Sequence, residues 1–304
     1  LIPQENPKRR NEVSTSKNSD KIDLSYTNPV NDFIREAFLA IGLVLLILGS
    51  LWIATGQFPP MVVVESGSMM HDTEDGSLGA IDPGDLVLVM NPDRVEIITY
   101  VEAMQENNEN FGYTSHGMEG DVIIYSKNGG SDTPVIHRAI LKAVTNNTQE
   151  GEETWDVKGT SLKNVKSINL TINYPCEYHS GTYNLEIKDW IPNHSGYLTT
   201  GDNPNSNGCK IDQLVATGQD GRNGLKDDQG NPVTAVKDEW VVGVASSEIP
   251  WIGAIKLFTS NTHHFVTGET WTNLSFTILF VICSPMIYES VFRKKITDLN
   301  SEEE

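Results

Sequence analysis

Cysteine is scarce in this chain, which has 3 among 304 residues. The spacings Cys-x-x-Cys and His-x-x-x-His, which are typical of zinc sites, do not occur in the sequence. We therefore expect neither a metal nor a cofactor. Cys283 lies in an apolar segment, apart from Cys176 and Cys209. A disulfide between Cys176 and Cys209 and two isolated buried thiols are both compatible with this spacing.

Positive charge is also scarce, with 22 Lys and Arg against 41 Asp and Glu and a net charge of −19. Residues 57–270 contain 13 of the basic and 30 of the acidic residues, so this region has most of the negative charge. Binding to nucleic acid requires clusters of basic side chains that neutralise phosphates. The composition therefore excludes nucleic acid as an expected partner.

Two long uncharged runs are present. Residues 37–55 have no charged side chain, and at 1.5 Å per residue a helix of this length reaches roughly 28 Å, close to the apolar thickness of a bilayer. A cleaved signal peptide would have a shorter apolar stretch, of roughly 7–15 residues. The sequence therefore predicts a transmembrane helix at residues 37–55 and a second one at residues 271–290, although the latter could instead lie in the membrane interface.

The distribution of basic residues indicates an orientation. Residues 1–36 are polar and include Lys8, Arg9 and Arg10, and Arg293 follows the second apolar run. Under the positive-inside rule, residues 1–36 form a mobile cytoplasmic tail and residues 291–304 return to the cytoplasm. We expect a protein of the cell membrane, with the bilayer as a partner and residues 56–270 on the extracytoplasmic side.

The region between the two runs is predicted to be mainly β. Short segments rich in β-branched residues recur there and are separated by Gly-Asp turns. Three stretches resemble insertions into this β domain: residues 91–117, 160–195 and 215–237. The predicted strands are residues 61–65, 86–90, 122–125, 134–144 and 240–244.

A serine and a histidine are candidates for chemistry. Ser68 lies in Ser66-Gly67-Ser68-Met69, and a serine hydroxyl becomes a good nucleophile only when a base takes its proton. His137 lies in an otherwise apolar predicted strand. Alone, the serine motif could be a turn, and a strand histidine is more often bonded to a neighbouring carbonyl. The other six histidines lie in expected loops or at the interface, where we expect them to be solvated.

Taken together, six motifs resemble type I signal peptidases in their order along the chain. A histidine at the position of the base resembles the archaeal and endoplasmic-reticulum branch, whereas the bacterial branch has lysine there. The motifs are Ser66-Gly67-Ser68-Met69, Gly84-Asp85-Leu86-Val87, Gly120-Asp121-Val122-Ile123, Val135-Ile136-His137-Arg138, Gly201-Asp202-Asn203 and Trp240-Val241-Val242-Gly243.

The resemblance implies a membrane-bound serine endopeptidase that removes signal peptides from secretory preproteins, with accessory membrane subunits as further partners. It implies Ser68 as nucleophile, His137 as general base and Asp212, favoured over Asp202, as the acid that supports the base. The Ser68 backbone N–H and the Ser66 hydroxyl would face the oxyanion. The substrate backbone would pair with the strand formed by Met61, Val62, Val63, Val64 and Glu65.

Two positions depart from that family. Met70-His71-Asp72 follows Ser68 where the family usually has an acidic residue and proline, and Thr200 precedes the Gly-Asp-Asn motif where lysine is usual. Neither is needed for the implied proton transfers. Two other functions are compatible with the sequence: a specialised or self-cleaving membrane protease of the same fold, and an inactive membrane-tethered binding protein.

Overall fold

The computed structural model describes residues 29–71, 79–147, 153–175, 183–207, 210–215 and 224–301. The described chain falls into two compact units, which divide between Ile47 and Leu48. The expected tail up to residue 28 lies outside the described residues. Cys176 and Cys209 also lie outside them, so their pairing stays a prediction.

The described chain has a helix near each end and a mainly β region between them. The two terminal helices contain the stretches Phe33–Thr55 and Gly268–Glu289, which are long and apolar enough to cross a membrane. Within an 18-residue apolar window of each stretch, 0% and 11% of the residues are buried. The helices are α1 (Pro29–Thr55), α2 (Tyr100–Ala103), α3 (Pro204–Asn207), α4 (Ala254–Thr259) and α5 (Gly268–Ser301).

Helix α1 begins at Pro29, eight residues before the apolar run predicted from residue 37. Proline suits the first helical position, because the backbone N–H that it lacks has no partner within the helix there. The polar residues that follow Pro29 therefore join the helix rather than the expected tail.

Eleven strands are present among the described residues. They are β1 (Met61–Val63), β2 (Leu86–Met90), β3 (Thr114–Ser115), β4 (Met118–Glu119), β5 (Val122–Tyr125), β6 (Val135–Asn147), β7 (Glu153–Val157), β8 (Ile168–Tyr174), β9 (Tyr183–Trp190), β10 (Gly196–Thr200) and β11 (Val241–Ile249).

Seven of these strands form one antiparallel sheet in the order β1-β2-β11-β5-β6-β10, with β7 also paired to β6. Strand β1 lies at one edge of this sheet. The central strand β6 pairs Arg138 with Val122 and His137 with Ile123 of β5. Because side chains alternate along a strand, His137 and Arg138 project from opposite faces of the sheet.

The predicted strands at residues 86–90 and 122–125 are confirmed to the residue. Strand β1 ends at Val63, before the predicted end at residue 65, because the backbone of Val64 bonds to the Gly84-Asp85 turn instead. The stretch 160–195 was predicted as an insertion and contains β8 and β9, which pair as a separate two-stranded sheet.

Helix α4 packs against both β1, an edge strand of the sheet, and the start of α5. Its buried residues Ala254 and Leu257 pack in one cluster with Leu274 of α5, and Val63 of β1 lies against that cluster. The opposite side of α4 is exposed, with Ile255 51% accessible. The short amphipathic helix α4 therefore packs between the C-terminal apolar helix and the strand at the sheet edge.

We expect Leu257→Ala to lower the free energy of unfolding by about 2–5 kcal/mol, because it leaves a cavity at a side chain that is 0% exposed. Ile255→Ala, on the exposed side of the same helix, is the control and should change stability by no more than about 0.5 kcal/mol. Denaturant unfolding of the purified protein in detergent measures both. Equal losses for the two variants would contradict this packing.

Candidate active site

Strand β6 supplies adjacent side chains to two buried contacts with aspartates. His137 on one face contacts Asp212, and Arg138 on the other face contacts Asp202. Both aspartates belong to the segment that follows β10, so the chain passes both faces of β6 within eleven residues. All four side chains are buried.

The His137 imidazole is held through its Nδ1 atom, which lies 2.6 Å from Asp212 Oδ2. The same oxygen accepts hydrogen bonds from Thr199 Oγ1 at 2.7 Å and from the Tyr125 hydroxyl at 3.2 Å. One oxygen can take all three contacts when His137 Nδ1 donates, and in a neutral imidazole with Nδ1 protonated the lone pair lies on Nε2. This is the tautomer that a general base requires.

Asp212 and Asp202 differ in their permanent partners. Asp202 faces the Arg138 guanidinium, with Oδ2 2.6 Å from Nη2, whereas the donors to Asp212 besides His137 are the neutral hydroxyls of Tyr125 and Thr199. The charge of Asp212 is therefore available to stabilise an imidazolium when His137 takes a proton. The geometry thus suits Asp212 better than Asp202 for the role of the acid.

Gly201 lies between the Ser68 backbone and the His137 ring. A Cβ atom on Gly201 would lie 2.5 Å from the Ser68 carbonyl oxygen and 3.1 Å from His137 Nε2. Asn203 fixes the serine segment, because its N–H bonds to Ser68 O at 3.0 Å and its Nδ2 bonds to Gly67 O at 2.6 Å. A glycine at position 201 is thus required for the nucleophile and base segments to come this close.

The Ser68 hydroxyl lies 3.4 Å from Ser66 Oγ and makes no hydrogen bond to His137 among the described residues. Catalytic hydrogen bonds are often long or poorly aligned before substrate binds. No described acceptor bonds to the Ser68 backbone N–H, which leaves it available to an oxyanion.

Ser68, His137 and Asp212 line one cavity of 520 Å³. Its walls are mostly apolar, and Val62, Val63, Val64, Glu65 and Ser66 form one side. Of the predicted substrate-binding residues, only Met61 does not line this cavity. The cavity is the groove that a substrate segment alongside β1 would enter, and we refer to it as the cleft.

Asp202 and Arg138 form a fixed pair behind the cleft, with both side chains 0% exposed. Arg138 also donates to the backbone carbonyls of Ser115 and Gly120, and Asp202 accepts from the Tyr174 hydroxyl at 2.7 Å. Burial alone would raise the pKa of Asp202, but the Arg138 guanidinium and the hydrogen bonds hold that pKa well below its usual range. Asp202 is therefore ionised at neutral pH.

At least three of the histidines that we expected to be solvated are not, and one of them is His194, whose Nδ1 lies 2.9 Å from the Ser195 carbonyl oxygen. His71 Nε2 lies 3.0 Å from Asp202 Oδ2, and the His116 side chain is 5% exposed, with Nδ1 3.5 Å from Glu248. Sequence reasoning also missed the contacts of Tyr125 and Thr199 with Asp212. Such contacts depend on which strands are neighbours. The only feature that could have indicated them is the pairing of β5 and β10 with β6, which brings these strands to either side of His137.

Comparisons with protein-family models, with curated proteins and with solved structures give no match to this chain. Among the described residues, no group of three or more His, Cys, Asp or Glu side chains could hold a metal ion. The chemistry of the site therefore has to be argued from its own geometry.

We expect Arg138→Met to destabilise the fold by about 3–5 kcal/mol at neutral pH, because it leaves the Asp202 carboxylate buried without its cation. The loss should shrink on acidification, since burial raises the pKa of Asp202 once Arg138 is gone and the carboxyl takes up a proton. In the wild type the folded pKa is lowered, so the contribution of Asp202 is complete above its unfolded pKa of about 3.9 and is lost as pH falls below it.

Denaturant unfolding at pH 7.5 and pH 5 measures this difference. Lys188→Met is the control, since it removes an exposed ion pair with Glu186 and should cost at most about 1 kcal/mol at either pH. A deficit for Arg138→Met that equals the control, or that grows on acidification, would contradict the buried pair.

Proposed function

We propose that this protein is a membrane-bound serine endopeptidase that removes signal peptides, with a catalytic domain like that of type I signal peptidases of the archaeal and endoplasmic-reticulum branch. The observation that carries the proposal is the cleft, in which Ser68 lies beside a histidine whose Nδ1 is held by a buried carboxylate. That arrangement has the parts of a Ser/His/Asp hydrolase.

In the proposed mechanism, Ser68 Oγ attacks the scissile carbonyl carbon while His137 Nε2 takes the hydroxyl proton. Asp212 stabilises the imidazolium that forms, and the Ser68 N–H, together with the Ser66 hydroxyl, donates to the oxyanion. His137 then gives its proton to the leaving amine, which leaves an acyl-enzyme. Water, deprotonated by His137, hydrolyses the ester, and the proton returns to Ser68.

The substrate segment would bind as an extended strand along β1. This strand is at the edge of the sheet, so its outer backbone groups can pair with a peptide, and the alternate side chains of that peptide would enter the apolar cleft. Small residues before the scissile bond suit such a site, which agrees with secretory preproteins as substrates.

The two apolar helices support a location in the cell membrane. In the proposed topology, the basic N-terminal tail and the C-terminal end are cytoplasmic, and the catalytic domain is on the extracytoplasmic side. Confining enzyme and preprotein to one bilayer raises their effective concentration without any new contact. Accessory membrane subunits would be further partners of the enzyme in the membrane.

The decisive experiment is cleavage of several preproteins by the purified protein in liposomes. Ser68→Ala and His137→Ala should each lower kcat by about 10⁴-fold or more, and the double variant should be no worse, because the two residues act as a unit. Asp212→Asn should cost about 10²–10⁴-fold, since the imidazole then loses its tautomer and its counter-charge.

Asp202→Asn is expected to lose activity together with thermal stability, whereas Asp212→Asn should lose activity with much less change in stability. Ser161→Ala, at an exposed serine outside the cleft, is the control and should be fully active. Cleavage of one partner alone would favour a specialised protease. If a known signal peptidase cuts preproteins that the folded wild type leaves intact, the proposed function fails and a binding role gains support.

A further inference from the structure

His71 connects the serine segment to the buried pair behind the cleft. It lies three residues after Ser68, and we call residues 66–71 the nucleophile loop. Its Nε2 atom is 3.0 Å from Asp202 Oδ2, and its side chain is 27% exposed. His71 lines a separate cavity of 300 Å³, which it shares with Met118 and Glu119, and it does not line the cleft.

The direction of this hydrogen bond follows from the charge of its acceptor. Asp202 is fully buried against Arg138, and that cation keeps the carboxyl ionised. An ionised carboxylate only accepts hydrogen bonds, so His71 Nε2 carries the proton and donates. A hydrogen bond to a buried charge is shorter and stronger than one between neutral groups.

Asp202 is a fixed point in the domain. Its partner Arg138 is 0% exposed and donates to backbone carbonyls on both sides of the β3–β4 turn, and the Tyr174 hydroxyl holds the other carboxylate oxygen. Moving Asp202 would break several charge-assisted hydrogen bonds at once. Any group bonded to Asp202 is therefore held in place with it.

The nucleophile loop is attached to this fixed point on both sides of Ser68. Asn203, the next residue after Asp202, holds the carbonyls of Gly67 and Ser68, and His71 holds Asp202 itself. Without His71, the segment after Ser68 would lose its side-chain bond to Asp202, and Ser68 would be held from the Asn203 side.

We propose that His71 is a positioning residue, which holds the nucleophile loop against the Asp202–Arg138 pair so that Ser68 stays in reach of His137. The catalytic consequence rests on the proposed function, whereas the consequence for the loop does not. Because His71 lies outside the cleft, its loss should lower kcat and leave KM nearly unchanged. A displacement of about 1 Å at a reacting group can cost about 10²-fold in rate.

The experiment compares His71→Ala with His71→Gln in the purified full chain. Gln keeps an N–H donor that can reach Asp202, whereas Ala has none. His71→Ala should lower kcat for a preprotein by about 10–100-fold, and it should speed amide hydrogen exchange in the peptide that contains residues 66–71. His71→Gln should recover most of both effects, which a role in overall stability alone would not explain.

His194→Ala is the matched control. His194 is also half-buried, and it bonds to the Ser195 carbonyl and to Thr234, away from the nucleophile loop. It should leave kcat and loop exchange unchanged, while its thermal midpoint moves about as much as that of His71→Ala. Equal exchange in wild type and His71→Ala would overturn the proposal, as would an equal loss of kcat in His71→Gln.

The two measurements separate the possible failures. Faster loop exchange in His71→Ala, in a protein whose wild type cleaves no preprotein, would support the link between loop and ion pair and would count against the proposed function. Unchanged exchange in an active enzyme would overturn the role of His71 and leave the proposed function intact.

Discussion

The site depends on the alternation of side chains along β6. His137 and Arg138 are neighbours in sequence, yet each meets its own aspartate on its own face of the sheet. One segment after β10 supplies both aspartates, and its Gly201 and Asn203 also contact the nucleophile loop. A shift of β6 by one residue would exchange the two faces and would break both contacts with the aspartates together. The strand register therefore determines the geometry of the whole site.

The two aspartates also differ in the charge of the groups around them. Arg138 permanently neutralises Asp202, which makes that pair a rigid and electrically complete unit. Asp212 has neutral hydroxyl donors besides His137, and burial together with the nearby carboxylate raises the pKa of Tyr125 well above its usual value, so Tyr125 stays a donor. A positive charge that appears on His137 thus meets an unneutralised carboxylate. Under the proposed function, this difference would let two buried Asp residues of the same segment serve structure and chemistry separately.

Much of the β framework could be predicted from the sequence, because β-branched runs between Gly-Asp turns depend on local preferences. Strands β2 and β5 have their predicted bounds. Asp212 as the partner of His137 was expected only from the resemblance to a known family. The pairing of Arg138 with Asp202 could not be predicted, since it depends on which segments become neighbours in the fold. His71 illustrates the same limit, because a loop position suggested solvent, whereas tertiary packing placed the side chain on a buried carboxylate.

The packing of α4 links the strand that lines the cleft to the apolar helix α5. Val63 belongs to the edge strand that lines the cleft, and it lies against the cluster that Ala254 and Leu257 form with Leu274 of α5. Close-packed side chains transmit displacement because they leave little free volume. In the proposed topology, the depth at which α5 lies in the bilayer therefore determines the position of β1 relative to the membrane. The height of the cleft above the membrane would follow from this packing, without a flexible linker between the span and the strand that receives the substrate.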